Sequence, residues 1–161
     1  TFQELNFHFQ LYEDHQLFLQ EYLDEHLPDL NIHFVVKDAP TVMEAIDIAL
    51  VTSGTATLEM MLYKKPMIVA YKTQPLTYHI VKKLIKIPYI SLPNIIAEKH
   101  IIPEYIQHEA TQENLYTAMK NLIEQESLQK EQVNQFDKIH HILKRDATKH
   151  ATDAVLDFIG E

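Results

Sequence analysis

Val51-Thr52-Ser53-Gly54-Thr55-Ala56-Thr57-Leu58-Glu59 passes from a β-pattern through a tight turn into a helix with no spare residue. Ile48–Thr52 is almost wholly apolar, which suits a strand buried on both faces. From Ala56 to about Tyr63 the chain reads as a helix. Only two glycines occur in 161 residues, and the other, Gly160, is terminal. Gly54 therefore marks a place where backbone turns sharply or approaches a ligand closely. In a parallel α/β sheet, ligands bind outside the carboxyl ends of the strands, and this turn has that position. The free amides of Thr55, Ala56 and Thr57, with the positive end of the helix dipole, suit a diphosphate. The hydroxyls of Ser53 and Thr55 can add donors. Glu59, one turn into the helix, can accept hydrogen bonds from two ribose hydroxyls. The same residues also fit a plain helix start followed by a solvated carboxylate, and the local pattern leaves both readings open.

Outward from the turn, strands and helices alternate. Leu5–Phe9 and Ile32–Val36 read as strands, with a helix over Asp14–Leu27 carrying Leu17, Phe18, Tyr22 and Leu23 at helical spacing. Thr41, with Glu44 three residues on, fits the start of a brief helix through Ile46. Pro66–Tyr71 is a fourth strand, a helix starts near Pro75, and Tyr89–Leu92 reads as a short strand before Pro93-Asn94 breaks the pattern. Gln112–Gln125, Leu128–Lys144 and Ala147–Ile159 read as helices. The expected fold is α/β, with a Rossmann-like parallel sheet flanked by helices over about 1–110 and a helical tail over about 111–161. The tail has no strand to pair with, so it packs over the sheet or crosses to another domain.

The composition is that of a soluble globular domain, 46% hydrophobic and 23% charged. No apolar run reaches transmembrane length, and Thr1-Phe2-Gln3-Glu4 does not open a signal peptide. Cysteine is absent, which excludes disulfides, zinc–thiolate sites and a thiol nucleophile and fits a cytosolic setting. The net charge of −9 argues against nucleic-acid binding. Among the ten histidines no His-Glu-x-x-His spacing supports a metal, and His140, His141 and His150 read as solvated or capping residues. Ser53 lacks the Gly-x-Ser-x-Gly frame of a hydrolase nucleophile.

Four stretches taken together resemble the lipid-A-disaccharide synthase family: Ser53–Glu59, Lys65-Pro66-Met67-Ile68-Val69-Ala70-Tyr71, Ser91-Leu92-Pro93-Asn94-Ile95-Ile96-Ala97, and Pro103-Glu104-Tyr105-Ile106-Gln107. The first stretch alone is shared across GT-B glycosyltransferases and UDP-sugar epimerases, whereas the full set in this order is far more specific. The resemblance implies the C-terminal half of a GT-B fold, two Rossmann-like domains facing across a cleft. It implies transfer of 2,3-diacylglucosamine from its UDP donor to 2,3-diacylglucosamine 1-phosphate (lipid X), with no cofactor and no metal. Carried over by position, Ser53, Gly54 and Thr55 match the phosphate-contacting turn, Glu59 the ribose-binding carboxylate, and Asn94 and Gln107 positions near the nucleotide. The N-terminal acceptor and catalytic domain, and a Pro-Gly-Ser-Arg loop, are expected to lie outside this chain. No catalytic residue is therefore expected within 1–161, and the chain alone is expected to be inactive.

From Met60 to Ala97 there is no acid, yet Lys64, Lys65, Lys72, Lys82, Lys83 and Lys86 all fall there. On a helical wheel from about Pro75 to Ile87, His79, Lys82, Lys83 and Lys86 oppose an apolar arc. That pattern suits an anionic bilayer or acylated substrates, and an ordinary surface helix is the plainer alternative. With the resemblance it implies a cytoplasmic protein held peripherally on the inner membrane. A homo-oligomer is compatible with all of this. Two other functional classes fit the turn alone: a UDP-sugar epimerase, which predicts no basic amphipathic helix, and a non-catalytic nucleotide-binding module, which predicts a self-contained sheet.

Overall fold

The computed structural model describes residues 5–11, 13–74, 88–144 and 147–160. Lys82, Lys83 and Lys86, with the whole helix expected from Pro75, lie outside the described residues. The chain divides after Ala49 into two compact units.

In the first unit, β1 (Phe7–Leu11), α1 (Glu13–His26) and β2 (Ile32–Val36) form a βαβ unit. The strands pair in parallel, in register from Phe7 against Ile32 to Leu11 against Val36. Alternation along them puts the Phe9 and Phe34 rings together at 6.1 Å and stacks His8 on His33 at 5.0 Å. Of the apolar residues spaced along α1, Leu23 is buried, while Leu17 and Phe18 are 72% and 71% exposed. α2 (Ala39–Ala45) buries Val42 and Met43. Its cap is Asp38, which accepts the Thr41 amide, and not Thr41 itself. Pro40 is the reason: its fixed φ suits the first turn, so the helix starts earlier than the Thr41–Glu44 pattern indicates.

The second sheet has the order β3-β4-β5, from β3 (Ala49–Val51), β4 (Met67–Tyr71) and β5 (Glu104–Ile106). β4 and β5 are parallel, with Val69 opposite Glu104 and Tyr71 opposite Ile106. The strand buried on both faces is the central one, β4: Met67, Ile68 and Val69 are all buried. On β3, Ala49 and Val51 are buried but Leu50 is half-exposed, so the apolar run there reflects an edge strand with one covered face. α3 (Thr55–Leu62) closes with Lys64 at φ 59°. The amides of Lys64 and Lys65 return to the carbonyls of Met61 and Met60, the paired bonds of a left-handed helix stop.

Residues 89–91 are not a strand. They lead into α4 (Leu92–Ala97), where Pro93 occupies the first turn and Asn94 is buried. The proline expected to break the pattern starts a helix. The short strand is β5 instead, followed by a 3-10 turn at Gln107–Glu109. α5 (Gln112–Glu124), α6 (Glu126–Leu143) and α7 (Ala147–Ile159) complete the chain. α6 packs through Gln132, Phe136 and Ile139, one stripe at helical spacing. The Gln132 amide both accepts from Met67 N (2.8 Å) and donates to Met67 O (3.2 Å). Lys64 Nζ lies 3.0 Å from Asp137 Oδ1 on the same helix. α7 leaves Val155, Leu156, Phe158 and Ile159 exposed. Parallel strand pairs flanked by helices, with a helical tail, agree with the Rossmann-like α/β expectation.

Candidate functional site

The turn after β3 has the backbone an anion site needs. Gly54 adopts φ 140°, ψ −164°, a region essentially closed to residues with a Cβ. A Cβ built there meets nothing within 4 Å, so conformation and not crowding demands glycine. Gly54 and Thr55 are exposed. Gly54, the cap residue, has no side chain to cap α3, no cap from a described residue is seen, and the amides of Thr55 and Ala56 precede any i−4 acceptor. Thr57 differs from expectation: its amide and hydroxyl both turn back to Gly54 O, at 3.1 and 2.7 Å, and its side chain is fully buried. The donors left for an anion are Thr55, through its amide and exposed hydroxyl, and Ala56. Glu59 is exposed and four residues from Thr55, hence on the same face of α3.

Ser53 has a different part from the one its hydroxyl suggests. Its Oγ–H donates to Ile90 O at 2.7 Å, which commits the proton to the chain and pins the turn to the approach of α4. The next residue of that approach, Ser91, is fully buried and is drawn to Glu104. Glu104 Oε1 accepts from Ser91 N (2.8 Å), Ser91 Oγ (2.5 Å) and Asn94 Nδ2 (2.8 Å), while Oε2 accepts from Ile90 N (3.1 Å).

Asn94 is fully buried. Its Nδ2 also donates to Ile102 O, and its Oδ1 accepts from the amides of Ile101 and Ile102. Every hydrogen-bonding capacity of that amide group is used inside the chain. Gln107, at φ 54°, spans from β5 to the end of β4, where it exchanges two hydrogen bonds with the Thr73 backbone. Ser53, Gly54, Thr55 and Glu59 thus stand at one turn. Asn94 braces, through Glu104, the Ile90–Ser91 approach that Ser53 bonds, and Gln107 ties the end of β5 to the chain after β4.

Glu104 is the residue that pattern reading missed. It sits inside the Pro103–Gln107 stretch, and its carboxylate joins that stretch to Ser91–Ala97. Motif spacing records the two stretches but not the bond between them. Two surface cavities of about 370 Å³ lie elsewhere, one at Pro66 and α6 and one around Ile68, Ile102 and Leu122. None of the turn residues 53–59 lines either of them. Among the described residues no helix is long and apolar enough to cross a membrane.

Comparison with known proteins adds the family. Residues 1–158 match the lipid-A-disaccharide synthetase family. The lipid-A-disaccharide synthase of Pseudomonas syringae pv. syringae (strain B728a) is 45% identical over 132 residues, covering 82% of this chain and 34% of that protein. That of Pseudomonas fluorescens (strain SBW25) is 49% identical over 119 residues, covering 74% of this chain and 31% of that protein. The chain spans about a third of the length of these curated relatives.

Proposed function

The chain belongs to the lipid-A-disaccharide synthetase family, and we propose that it is the nucleotide-sugar-binding part of a glycosyltransferase of lipid A biosynthesis. Its donor is UDP-2,3-diacylglucosamine, and the acceptor is 2,3-diacylglucosamine 1-phosphate, held by the remainder of the enzyme. The observation that carries this reading is the exposed start of α3 at Gly54, without a side-chain cap among the described residues, with Glu59 one turn along the same face.

In this reading the diphosphate lies against the amides of Thr55 and Ala56 and the Thr55 hydroxyl. The acceptor 6-hydroxyl attacks C1 of the donor sugar as the bond from C1 to the diphosphate breaks, and its proton passes to a base outside this chain. Negative charge grows on the departing UDP. Preorganised amides at a helix start meet that charge without reorganising, which lowers the barrier. Glu59 accepts from the ribose hydroxyls and fixes the nucleotide along α3. Asn94 serves the site by bracing the Ile90–Ser91 approach through Glu104, and Gln107 holds the chain that leaves β4. The protein works at the cytoplasmic face of the inner membrane, where both acylated substrates reside.

The test is titration of the chain with UDP, followed by amide resonances and by calorimetry. UDP is expected to shift Gly54, Thr55 and Ala56, and Glu59→Ala to weaken binding by about 1–3 kcal/mol, the usual loss for hydrogen bonds to a charged group. Unchanged affinity in Glu59→Ala rejects the ribose assignment. No shift at the turn rejects the site.

A further inference from the structure

The Ile90–Ser91 peptide is gripped on both sides. Its carbonyl takes the Ser53 hydroxyl at 2.7 Å, and its N–H, on Ser91, goes to Glu104 Oε1 at 2.8 Å. A trans peptide is planar and carries its N–H and C=O in opposite directions. Fixing one side therefore aims the other, and hydrogen bonding at the N–H makes the carbonyl a better acceptor. Glu104 Oε2 holds the preceding amide, Ile90 N, at 3.1 Å, so the plane is restrained against rotation as well. Asn94 in turn orients the carboxylate through Nδ2 at 2.8 Å.

We propose that Glu104 is a positioning residue for the anion-binding turn. It aims the Ile90–Ser91 peptide so that the carbonyl receives Ser53, which sets the backbone from which the Thr55 and Ala56 amides point outward. The proposal deepens the nucleotide reading above, and its effect on UDP rests on that reading. Four donors converge on the two oxygens of Glu104, which only a carboxylate can accept in full. A glutamine there keeps the size and turns an NH2 group toward one or more of those donors.

The experiment is a double-mutant cycle on UDP affinity with Glu104→Gln and Ser53→Ala. Each single change is expected to weaken UDP about three- to tenfold, and the double variant no more than the worse single, because both break one relay. Purely structural damage at Glu104 adds to the Ser53 effect instead, and multiplied losses overturn the proposal. So does wild-type affinity in Glu104→Gln.

The amide resonances of Ser53 and Gly54 in the unliganded chain give a second readout. They are expected to move in Glu104→Gln although the hydrogen bonds of Glu104 go to Ile90, Ser91 and Asn94, and unmoved resonances also overturn the proposal. Should the wild-type chain not bind UDP, the nucleotide reading falls and these resonances alone decide the relay. Ser91→Ala, which deletes only the Ser91 Oγ bond to Glu104, shifts the same resonances by less and serves if Glu104→Gln does not fold.

Discussion

Gln107 and Thr73 exchange two hydrogen bonds, Thr73 N to Oε1 at 2.7 Å and Nε2 to Thr73 O at 3.0 Å. The β4–β5 ladder ends at Tyr71 opposite Ile106, and the backbone then leaves the sheet at Gln107 with φ 54°. The side-chain amide continues what the backbone abandons, offering Thr73 one donor and one acceptor as a neighbouring strand does. Gln107→Glu keeps the acceptor and loses the donor, leaving a carboxylate against a carbonyl. It is expected to cost about 1–3 kcal/mol in urea unfolding. Equal stability in the variant contradicts the ladder role.

Gly54→Ala probes conformation apart from crowding. The space is open, so the whole cost is backbone strain at φ 140°, about 1–3 kcal/mol. A turn that relaxes to escape the strain re-aims the Thr55 amide, so UDP affinity is expected to fall along with the melting temperature. Calorimetry of both quantities checks it, and an alanine variant as stable as wild type means the turn does not need glycine.

Asn94→Asp separates bracing from nucleotide contact. Asn94 Nδ2 donates to Glu104 at 2.8 Å, and an aspartate there sets two carboxylates in contact while removing the donor to Ile102 O. Like charges so close oppose ionisation of both. The variant is expected to lose more than about 2 kcal/mol of stability even without nucleotide, since a buried polar group is left unpaired. A stable Asn94→Asp chain that loses only UDP affinity instead favours direct contact.

Lys82, Lys83 and Lys86 carry the membrane part of the proposal on their sequence pattern. Each lysine near an anionic surface contributes about 1 kcal/mol, so replacing all three with glutamate is expected to lower partitioning onto anionic vesicles roughly a hundredfold or more. Raised salt weakens the wild-type attraction as screening shortens its range. Co-sedimentation with phosphatidylglycerol vesicles measures it, and equal binding by both proteins at low salt removes the lysines from any membrane role.

The chain alone is expected to show no transfer between UDP-2,3-diacylglucosamine and 2,3-diacylglucosamine 1-phosphate. Radiolabelled product from this chain by itself places the catalytic base within 1–161, contrary to the reading above.

Many elements were legible because burial imposes period on sequence, as in the core of α6, and Ile32–Val36 because a short β-branched run favours a strand. The turn at Ser53–Thr55 was legible because a lone glycine between strand and helix has few other uses. The direction of the Ser53 proton was not, since its acceptor, Ile90, is 37 residues away. β5 escaped because three residues are too few to show alternation. Pro93 misled because a ring that interrupts a strand pattern also suits the first turn of a helix. The brace at Asn94 was hidden by chemistry: a buried amide and a ligand-binding amide are the same residue type, told apart only by what surrounds them.

The two bonds between Gln132 and Met67 make the helical tail part of the sheet's opening unit. Met67 begins the central strand, and its peptide is closed by a side chain from α6, with Phe136 fully buried one turn further on. Undocking α6 therefore strands a buried peptide and empties a ring's worth of core in the same event. The Met67 amide then exchanges with solvent only as fast as α6 lifts away, so one cooperative unit spans the border near residue 110 that the pattern of strands and helices suggests. A chain cut at that border is expected to lose the order of β4 and not merely its tail.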